Sequence, residues 1–363
     1  MKAKNTRKTQ RESQSGARWR IMSELRKMCT ILKHCLLKPS KPTKSWIEVT
    51  DECNSHCKMC NIWKKEPTKD LLTPEDYYKL FSDPFLSDVD SVIISGGEPF
   101  MRDDMYELSM AIHEANPKIS IGLSTNGLQP EKVITTVRNL LRDGVTNLSV
   151  GTSIDCIGPK HDTFRGTRGA WGSVSRLIEG LKEIREQYPT LGICFGLTLQ
   201  EGNYDEVESV IEYAEKQNVD YLIQWMNESS FYENKVHRDK EKEREVVEKL
   251  PERFSLLREL WIDWLDGKPI NFDCQALTSF IAIKCDGSIV PCLSLWDDVA
   301  GNIRQDNIQT ILKSEKAKLI REKVCNCQGC INSWGTYYSW EATGLPYVKY
   351  YAVRPLKFIR KLL

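Results

Sequence analysis

Residues 45–60 read SWIEVTDECNSHCKMC, a short apolar run that opens into a polar loop carrying Cys53, Cys57 and Cys60. The run is strand-like, rich in β-branched and aromatic residues and closed by Asp51. Five more runs of the same kind follow: SVIIS from Ser91, ISIGLS from Ile119, NLSVGTS from Asn147, LGICFGLTL from Leu191 and YLIQWM from Tyr221. They read as strands buried on both faces. Amphipathic helical patterns separate them, starting near Thr73, Arg102, Pro130, Ser173 and Tyr204, and a charged helix fills roughly 238–266. The start at Thr73 is the most explicit, with a Thr cap, Pro at the first position and acids behind it. Six strand–helix units in a row predict parallel strands with right-handed crossovers. The expected fold is therefore α/β, a partial (β/α)6 barrel of the TIM type over 45–266. In such barrels chemistry sits on the loops that leave the C-terminal ends of the strands. The cysteine loop is one of these.

Composition narrows the use of those cysteines. The chain has 363 residues, 40% of them hydrophobic, which is enough for one large core and an appendage. Thirteen cysteines call for either a disulfide scaffold or metal ligation. The N-terminus is charged throughout and has no apolar signal segment, and no run of about 18 apolar residues exists. The reading is a cytoplasmic chain in a reducing compartment that uses its cysteines as thiolates. The net charge of +1 is uneven. The first ~45 residues and the last ~23 are basic, which leaves the middle near roughly −14.

Cys53, Cys57 and Cys60 are spaced C-x3-C-x2-C. Three thiolates suit an iron–sulfur cluster that leaves one iron open. Structural zinc would take a fourth ligand, for which His56 is the local candidate. The next three strand ends also carry polar, glycine-rich loops. They are Ser95-Gly96-Gly97-Glu98-Pro99, then Ser124-Thr125-Asn126-Gly127, then Ser153-Ile154-Asp155 with His161, Asp162, Arg165 and Gly166 beyond it. Glycines admit a close backbone approach, and carbonyls with Glu98 accept hydrogen bonds from a cation. The ring suits a ligand with an ammonium, a carboxylate and a ribose.

These motifs, in this order over about 45–230, resemble the radical S-adenosylmethionine (SAM) superfamily. The C-x3-C-x-φ-C signature is present with Met59 at φ, and GGEP follows at the expected strand. The resemblance implies a [4Fe–4S] cluster on Cys53, Cys57 and Cys60, whose open iron is chelated by the methionine amine and carboxylate of SAM. Met59 would then border the cofactor, and Gly96, Gly97 and Glu98 would hold the amine. Ser153 and Arg165 would meet the carboxylate, with Ser124 and Asn126 near the ribose. Cys156 stands where many relatives have glycine and reads as a small residue in a turn.

The composition shifts near Gly267-Lys268-Pro269, and FIAIKCDGSIVPCLSL then reads as two strands around Asp286-Gly287. Cys274 and Cys292 with the pair Cys327 and Cys330 make a four-thiolate set fit for zinc or an iron–sulfur cluster. The pattern C-x12-G-x4-C followed by C-x2-C resembles the twitch subdomain, a shortened SPASM domain. That resemblance implies one auxiliary [4Fe–4S] cluster. Cys325 and Cys285 are spare, and Cys29, Cys35 and Cys194 read as core. The domain plan is 1–44 basic tail and amphipathic helix, 45–266 barrel, 267–335 small C-terminal Fe–S subdomain and 336–363 basic tail.

Ile21, Leu25, Met28, Leu32 and Cys35 or Leu36 form an apolar stripe on a Lys/Arg-rich helix, and the C-terminus repeats that character. Such ends fit peripheral contact with an anionic membrane or packing against the fold. No RNA-recognition signature accompanies them. The implied activity is reductive cleavage of SAM to a 5′-deoxyadenosyl radical and hydrogen abstraction, with an external flavodoxin- or ferredoxin-type reductant. An auxiliary cluster turns the net reaction toward oxidation or cross-linking. About 45 residues precede the barrel, short of a leader-binding module of about 80. This tilts the substrate toward a small sugar-, alcohol- or lipid-like molecule, or a ribosomal peptide recognised in trans. Gln224, Trp225, Asn227 and Glu228 are the candidate substrate contacts. A non-catalytic iron–sulfur or zinc protein is the rival of another class.

Overall fold

The computed structural model describes residues 39–268 and 274–327, with Thr336, Tyr338 and Ser339. The apolar stripe from Ile21, both basic tails, Cys29, Cys35 and Cys330 lie outside the described residues. Six parallel strands form in chain order: β1 (Lys44–Glu48), β2 (Ser91–Ser95), β3 (Ser120–Thr125), β4 (Leu148–Ser153), β5 (Gly192–Leu199) and β6 (Asp220–Trp225). Each matches its apolar run to within about two residues. The helices α1 (Pro74–Phe81), α2 (Met105–Ala115), α3 (Pro130–Arg142), α4 (Pro159–Arg165), α5 (Ala170–Gln187) and α6 (Val207–Gln217) complete a partial α/β barrel. Helix α1 starts as its sequence predicts. Thr73 and Asp76 cap each other's backbone, and Pro74 stands in the first turn, where its missing N–H costs nothing.

The sheet runs β6-β5-β4-β3-β2-β1-β7-β8-β9. The strands β7 (Phe280–Ile283), β8 (Ser288–Val290) and β9 (Gly301–Asn302) are the C-terminal additions. Strand β7 pairs parallel with β1, Trp46 opposite Ala282, and β8 and β9 follow antiparallel. The small C-terminal region is thus built onto the free edge of the barrel sheet, which leaves β1 with a partner on each side. Helices α9 (Ile308–Lys313) and α10 (Glu315–Cys325) complete it.

Two expectations need correction. The charged helix over 238–266 is two helices, α7 (Lys240–Lys249) and α8 (Ser255–Leu265), with a break at Leu250-Pro251. Proline has no N–H to donate and forces the preceding residue out of helical geometry, and Leu250 adopts ψ 142°. The strands are also not all buried on both faces. In β4 and β5 one face is fully buried against helices, while Ser149, Gly151, Ser153, Gly192, Cys194, Gly196 and Thr198 are only half-buried. These small residues line the inner face of the partial barrel. They leave space there instead of filling it with the packed layers of a closed barrel.

At the β1 end the inner face is instead filled. Trp46, Phe231 and Trp296 meet edge-to-face with ring centroids 4.7–5.7 Å apart, and Ile93, Cys53 and Cys60 pack against them. No helix among the described residues is long and apolar enough to cross a membrane.

Candidate active site

The cysteine loop leaves β1 and is tied to the loop after β2 by backbone bonds. Gly97 N donates to Thr50 O at 2.7 Å and Glu98 N to Glu52 O at 2.8 Å. Glycine is obligatory at this seam: a Cβ would lie 2.2 Å from Thr50 O at Gly96 and 2.3 Å from Glu52 O at Gly97. Glu98 is fully buried, and its carboxylate is committed within the protein. Oε1 accepts from Thr125 Oγ1 (2.8 Å) and Phe100 N (3.1 Å), while Oε2 accepts from Asn126 N (2.5 Å). Burial pushes this carboxyl up to about 7. Its visible work is to fix Asn126, whose Nδ2 reaches Asn54 Oδ1 at 2.8 Å and lies 3.9 Å from Cys53 Sγ.

The loop after β4 closes the other side of the triad. Helix α4 ends against the cysteine loop, with Gly166 so near His56 O that a Cβ would fall 2.1 Å from it. Arg165 Nη2 pairs with Asp155 Oδ2 at 2.5 Å, and Nη1 lies 3.7 Å from Cys57 Sγ. Its Nε is buried without a partner among the described residues. Ser55 Oγ stands 3.1 Å from Cys57 Sγ and 3.2 Å from Arg165 O. Asp155 Oδ1 accepts from Thr198 N at 2.9 Å, so the pair is anchored on β5. Ser124 and Ser153 are half-buried on the inner face of β3 and β4. His161 packs edge-on to Trp171, and burial pulls it down to about 3. Asp162 caps the next helix by accepting from Gly169 N and Trp171 N.

The triad suits an anionic cluster. Cys57 is buried with Met59, Cys156, Phe164 and Met226 around it, and Cys53 and Cys60 pack partly into the neighbouring apolar clusters. Burial pushes the Cys53 thiol up to about 12 and the Cys60 thiol to about 11. Arg165 places a positive charge beside the thiols. Among the described residues no three His, Cys, Asp or Glu side chains converge on the point that a lone metal ion needs.

A thirteen-residue strap after β6, residues 226–238, crosses back over the triad. Asn61 N donates to Tyr232 O (2.9 Å), Asn61 Nδ2 to Glu233 O (2.6 Å), and Asn234 Nδ2 to Met59 O (3.1 Å). Arg238 buckles its ends, donating to Met226 O (2.7 Å) and pairing with buried Glu243 (3.0 Å). This cover was not anticipated from the sequence. Its one signal was a Phe-Tyr pair in an otherwise polar, unpatterned loop. Among the candidate substrate contacts, Gln224 faces inward and donates to Thr198 Oγ1 at 3.1 Å. Trp225 does not. Strand alternation turns it outward against Tyr204 and Trp261.

In the C-terminal region, Cys274, Cys292 and Cys327 are electrostatic neighbours, with Cys325 also near Cys274. Cys285 is elsewhere, buried beside Glu48. Cys285 N donates to Glu48 Oε2 at 3.2 Å, and burial pushes the Glu48 carboxyl up to about 7. An unfolded glutamate titrates near about 4.3. The native state therefore holds this proton more tightly, and the stability it contributes is present below about pH 4 and lost as pH rises through about 7. A Glu48→Gln variant cannot ionise. It is expected to gain on the parent by on the order of 3 kcal/mol between about pH 4 and pH 8. Urea unfolding across that range measures it, and a pH-independent difference would refute it.

Residues 47–214 match the radical SAM superfamily model, and residues 274–331 match the SPASM iron–sulfur cluster-binding domain. Among curated proteins the chain is similar to GTP 3′,8-cyclase of Nautilia profundicola, at 23% identity over 77% of this chain and 89% of that protein. It is also similar to the sporulation killing factor maturation protein SkfB of Bacillus subtilis, at 24% identity over 80% of this chain and 68% of that protein. Several other curated relatives are matched over only 42–51% of their length. Among solved structures, Streptococcus suis SuiB bound to SAM superposes with a TM-score of 0.58 at 18% identity, over 78% of this chain and 68% of that one.

Proposed function

The chain belongs to the radical SAM superfamily and carries a SPASM domain behind the barrel, and on that premise we propose that it cleaves SAM reductively and abstracts a hydrogen atom from substrate in a net oxidation or cross-link. The family supplies the cofactors: a [4Fe–4S] cluster with SAM, and auxiliary iron–sulfur ligation in the SPASM domain. Held on Cys53, Cys57 and Cys60, the first cluster would supply one electron to the sulfonium of bound SAM, a cleavage that yields methionine and a 5′-deoxyadenosyl radical able to take hydrogen from substrate.

The observation that carries this reading is the enclosure of Cys53, Cys57 and Cys60 by the ends of β2, β3 and β4, with Arg165, Ser55 and Asn126 on the thiols. In our reading the unpartnered Nε of Arg165 and the hydroxyl of Ser153 meet the SAM carboxylate. The carbonyls of Gly96 and Gly97 accept from the amine. Ser124 and Asn126 border the ribose, and Glu98 acts by holding Asn126 in place. Tyr232, Phe164 and Met226 keep water from the triad. Cys274, Cys292, Cys327 and Cys330 would hold one auxiliary cluster, which would supply an electron acceptor for the oxidation of substrate.

Anaerobic reconstitution is expected to load about 8 iron atoms per chain, against about 4 for one cluster plus zinc. Dithionite with SAM should then yield equal amounts of 5′-deoxyadenosine and methionine. No 5′-deoxyadenosine from the parent protein would sink the enzyme reading in favour of a non-catalytic metal protein. The substrate is a small sugar-, alcohol- or lipid-like molecule or a ribosomal peptide. The peptide reading, with the peptide bound in trans, is supported by the similarity to the sporulation killing factor maturation protein along 80% of this chain.

A further inference from the structure

The cysteine loop meets its own thiols with hydrogen-bond donors. Ser55 N–H bonds to Cys53 Sγ and Ile62 N–H to Cys60 Sγ. Cys57 is met by side chains, with Ser55 Oγ at 3.1 Å and Arg165 Nη1 at 3.7 Å. Ser55 therefore reaches two of the three thiols, one through its backbone and one through its hydroxyl. It is buried between the cysteine loop and the end of α4, where its Oγ–H donates to Arg165 O at 3.2 Å. One hydroxyl proton thus faces two acceptors. With Cys57 as a thiol, Sγ–H can donate to Oγ while Oγ–H stays on Arg165 O. A thiolate has no proton to give and is the stronger acceptor, so ligation turns the hydroxyl toward sulfur. Arg165 O keeps a donor when this happens, because Thr167 Oγ1 stands 3.3 Å from it. No polar group is stranded by the turn. The other side chain on Cys57 is shared, since Arg165 Nη2 is engaged by Asp155. The Ser55 hydroxyl has no such second charge to serve.

Resting on the cluster ligation proposed above, we propose that Ser55 tunes the first cluster: its hydroxyl donates to the Cys57 thiolate and raises the reduction potential. Cluster potentials follow net charge and the hydrogen bonds to sulfur. Reduction adds one electron, and so one negative charge, to an enclosed anionic group. A donor fixed on its sulfur stabilises the reduced form more than the oxidised one. The effect is large where water is scarce, and Met59, Phe164 and Met226 pack around Cys57. The reductant loses one electron, the cluster gains one, and no covalent bond forms or breaks. Ser55 touches neither SAM nor substrate in this reading. It acts through Cys57, as a positioning residue.

The test is a redox titration of the reconstituted full chain, followed by electron paramagnetic resonance in the absence of SAM. The signal missing from Cys57→Ala protein identifies this cluster against the auxiliary one. Ser55→Ala is expected to keep its iron and to shift the one-electron equilibrium at least tenfold toward the oxidised form, a midpoint lower by about 59 mV or more. Ser55→Thr keeps the hydroxyl and should stay within twofold of the parent in the same equilibrium. Cys156→Ala removes a sulfur from the packing around Cys57 and should leave the midpoint unchanged. A parental midpoint in Ser55→Ala overturns the proposal, as does an equal fall in Ser55→Thr or in Cys156→Ala. Should Ser55→Ala fail to take up iron, Ser55→Gly, which also lacks the donor, decides by the same titration, and a parental midpoint is again refutation. A parent that loads both clusters but yields no 5′-deoxyadenosine would sink the SAM-cleavage reading and leave the role of Ser55 to the midpoints, which are read before SAM is added.

Discussion

A Cys57→Ala variant is expected to lose about four of its iron atoms and to bring dithionite-driven 5′-deoxyadenosine formation down to background. Cys57 is the most enclosed of the triad, 8% exposed, with Ser55 Oγ at 3.1 Å and Arg165 Nη1 at 3.7 Å from its sulfur. Alanine removes the ligand and leaves the guanidinium facing an apolar gap, so neither water nor a neighbour replaces the thiolate. The matched control lies in the same apolar cluster, where Cys156 packs with Cys57, Met59, Phe164 and Met226. Cys156→Ala deletes a sulfur of equal size from that packing at a cost of about 1 kcal/mol. It should keep its iron and its 5′-deoxyadenosine. Metal analysis and product quantification on the two variants separate a lost ligand from lost packing. Equal iron in both would remove Cys57 from the ligand set.

Why the triad was readable and its surroundings were not follows from the range of the interactions. The cysteine loop, Gly96-Gly97-Glu98 and Ser124-Thr125-Asn126 are each local motifs at a strand end, and strand ends are marked by short-range patterning. The pairing of β7 with β1 joins residues 236 apart, Thr43 and Ser279, and no spacing rule reaches that far. The role of Glu98 is hidden for the same reason. Its partners Thr125 and Asn126 sit on the next strand's loop, so the carboxylate looks free in sequence and is committed in the fold. The openness of the inner face was visible but misread. In Leu148-Ser-Val-Gly-Thr-Ser153 size alternates as well as polarity, and small residues pass for buried ones when only polarity is followed. The strap over the triad has no periodicity at all, because its shape is set by Arg238 and Asn234 bonding to distant carbonyls.

Breaking the Asp155–Arg165 pair from either side is expected to destabilise the fold by about 3–5 kcal/mol. Asp155 is fully buried and Arg165 nearly so, and the 2.5 Å contact joins the end of β4 to the helix that abuts the cysteine loop. Burial pushes the Asp155 carboxyl up, and the Arg165 charge with the Thr198 N–H works against that rise. Arg165→Ala strands the carboxylate, while Asp155→Asn strands a guanidinium, so each single change leaves one charge unpaired in the interior. A double variant, Asp155→Asn with Arg165→Gln, removes both charges and keeps the hydrogen-bonding shape. Its stability should recover by several kcal/mol relative to either single variant, because a matched neutral pair avoids the desolvation that the ions suffer. SAM affinity should behave differently. If Arg165 holds the carboxylate of SAM as proposed, the double variant regains its fold and still binds SAM at least tenfold more weakly, since no cation faces the ligand. Urea unfolding gives the first quantity, and equilibrium dialysis of SAM on the reconstituted protein gives the second. Recovery of both together would make the pair a structural strut only, and the carboxylate of SAM would have to be met elsewhere on the loop after β4.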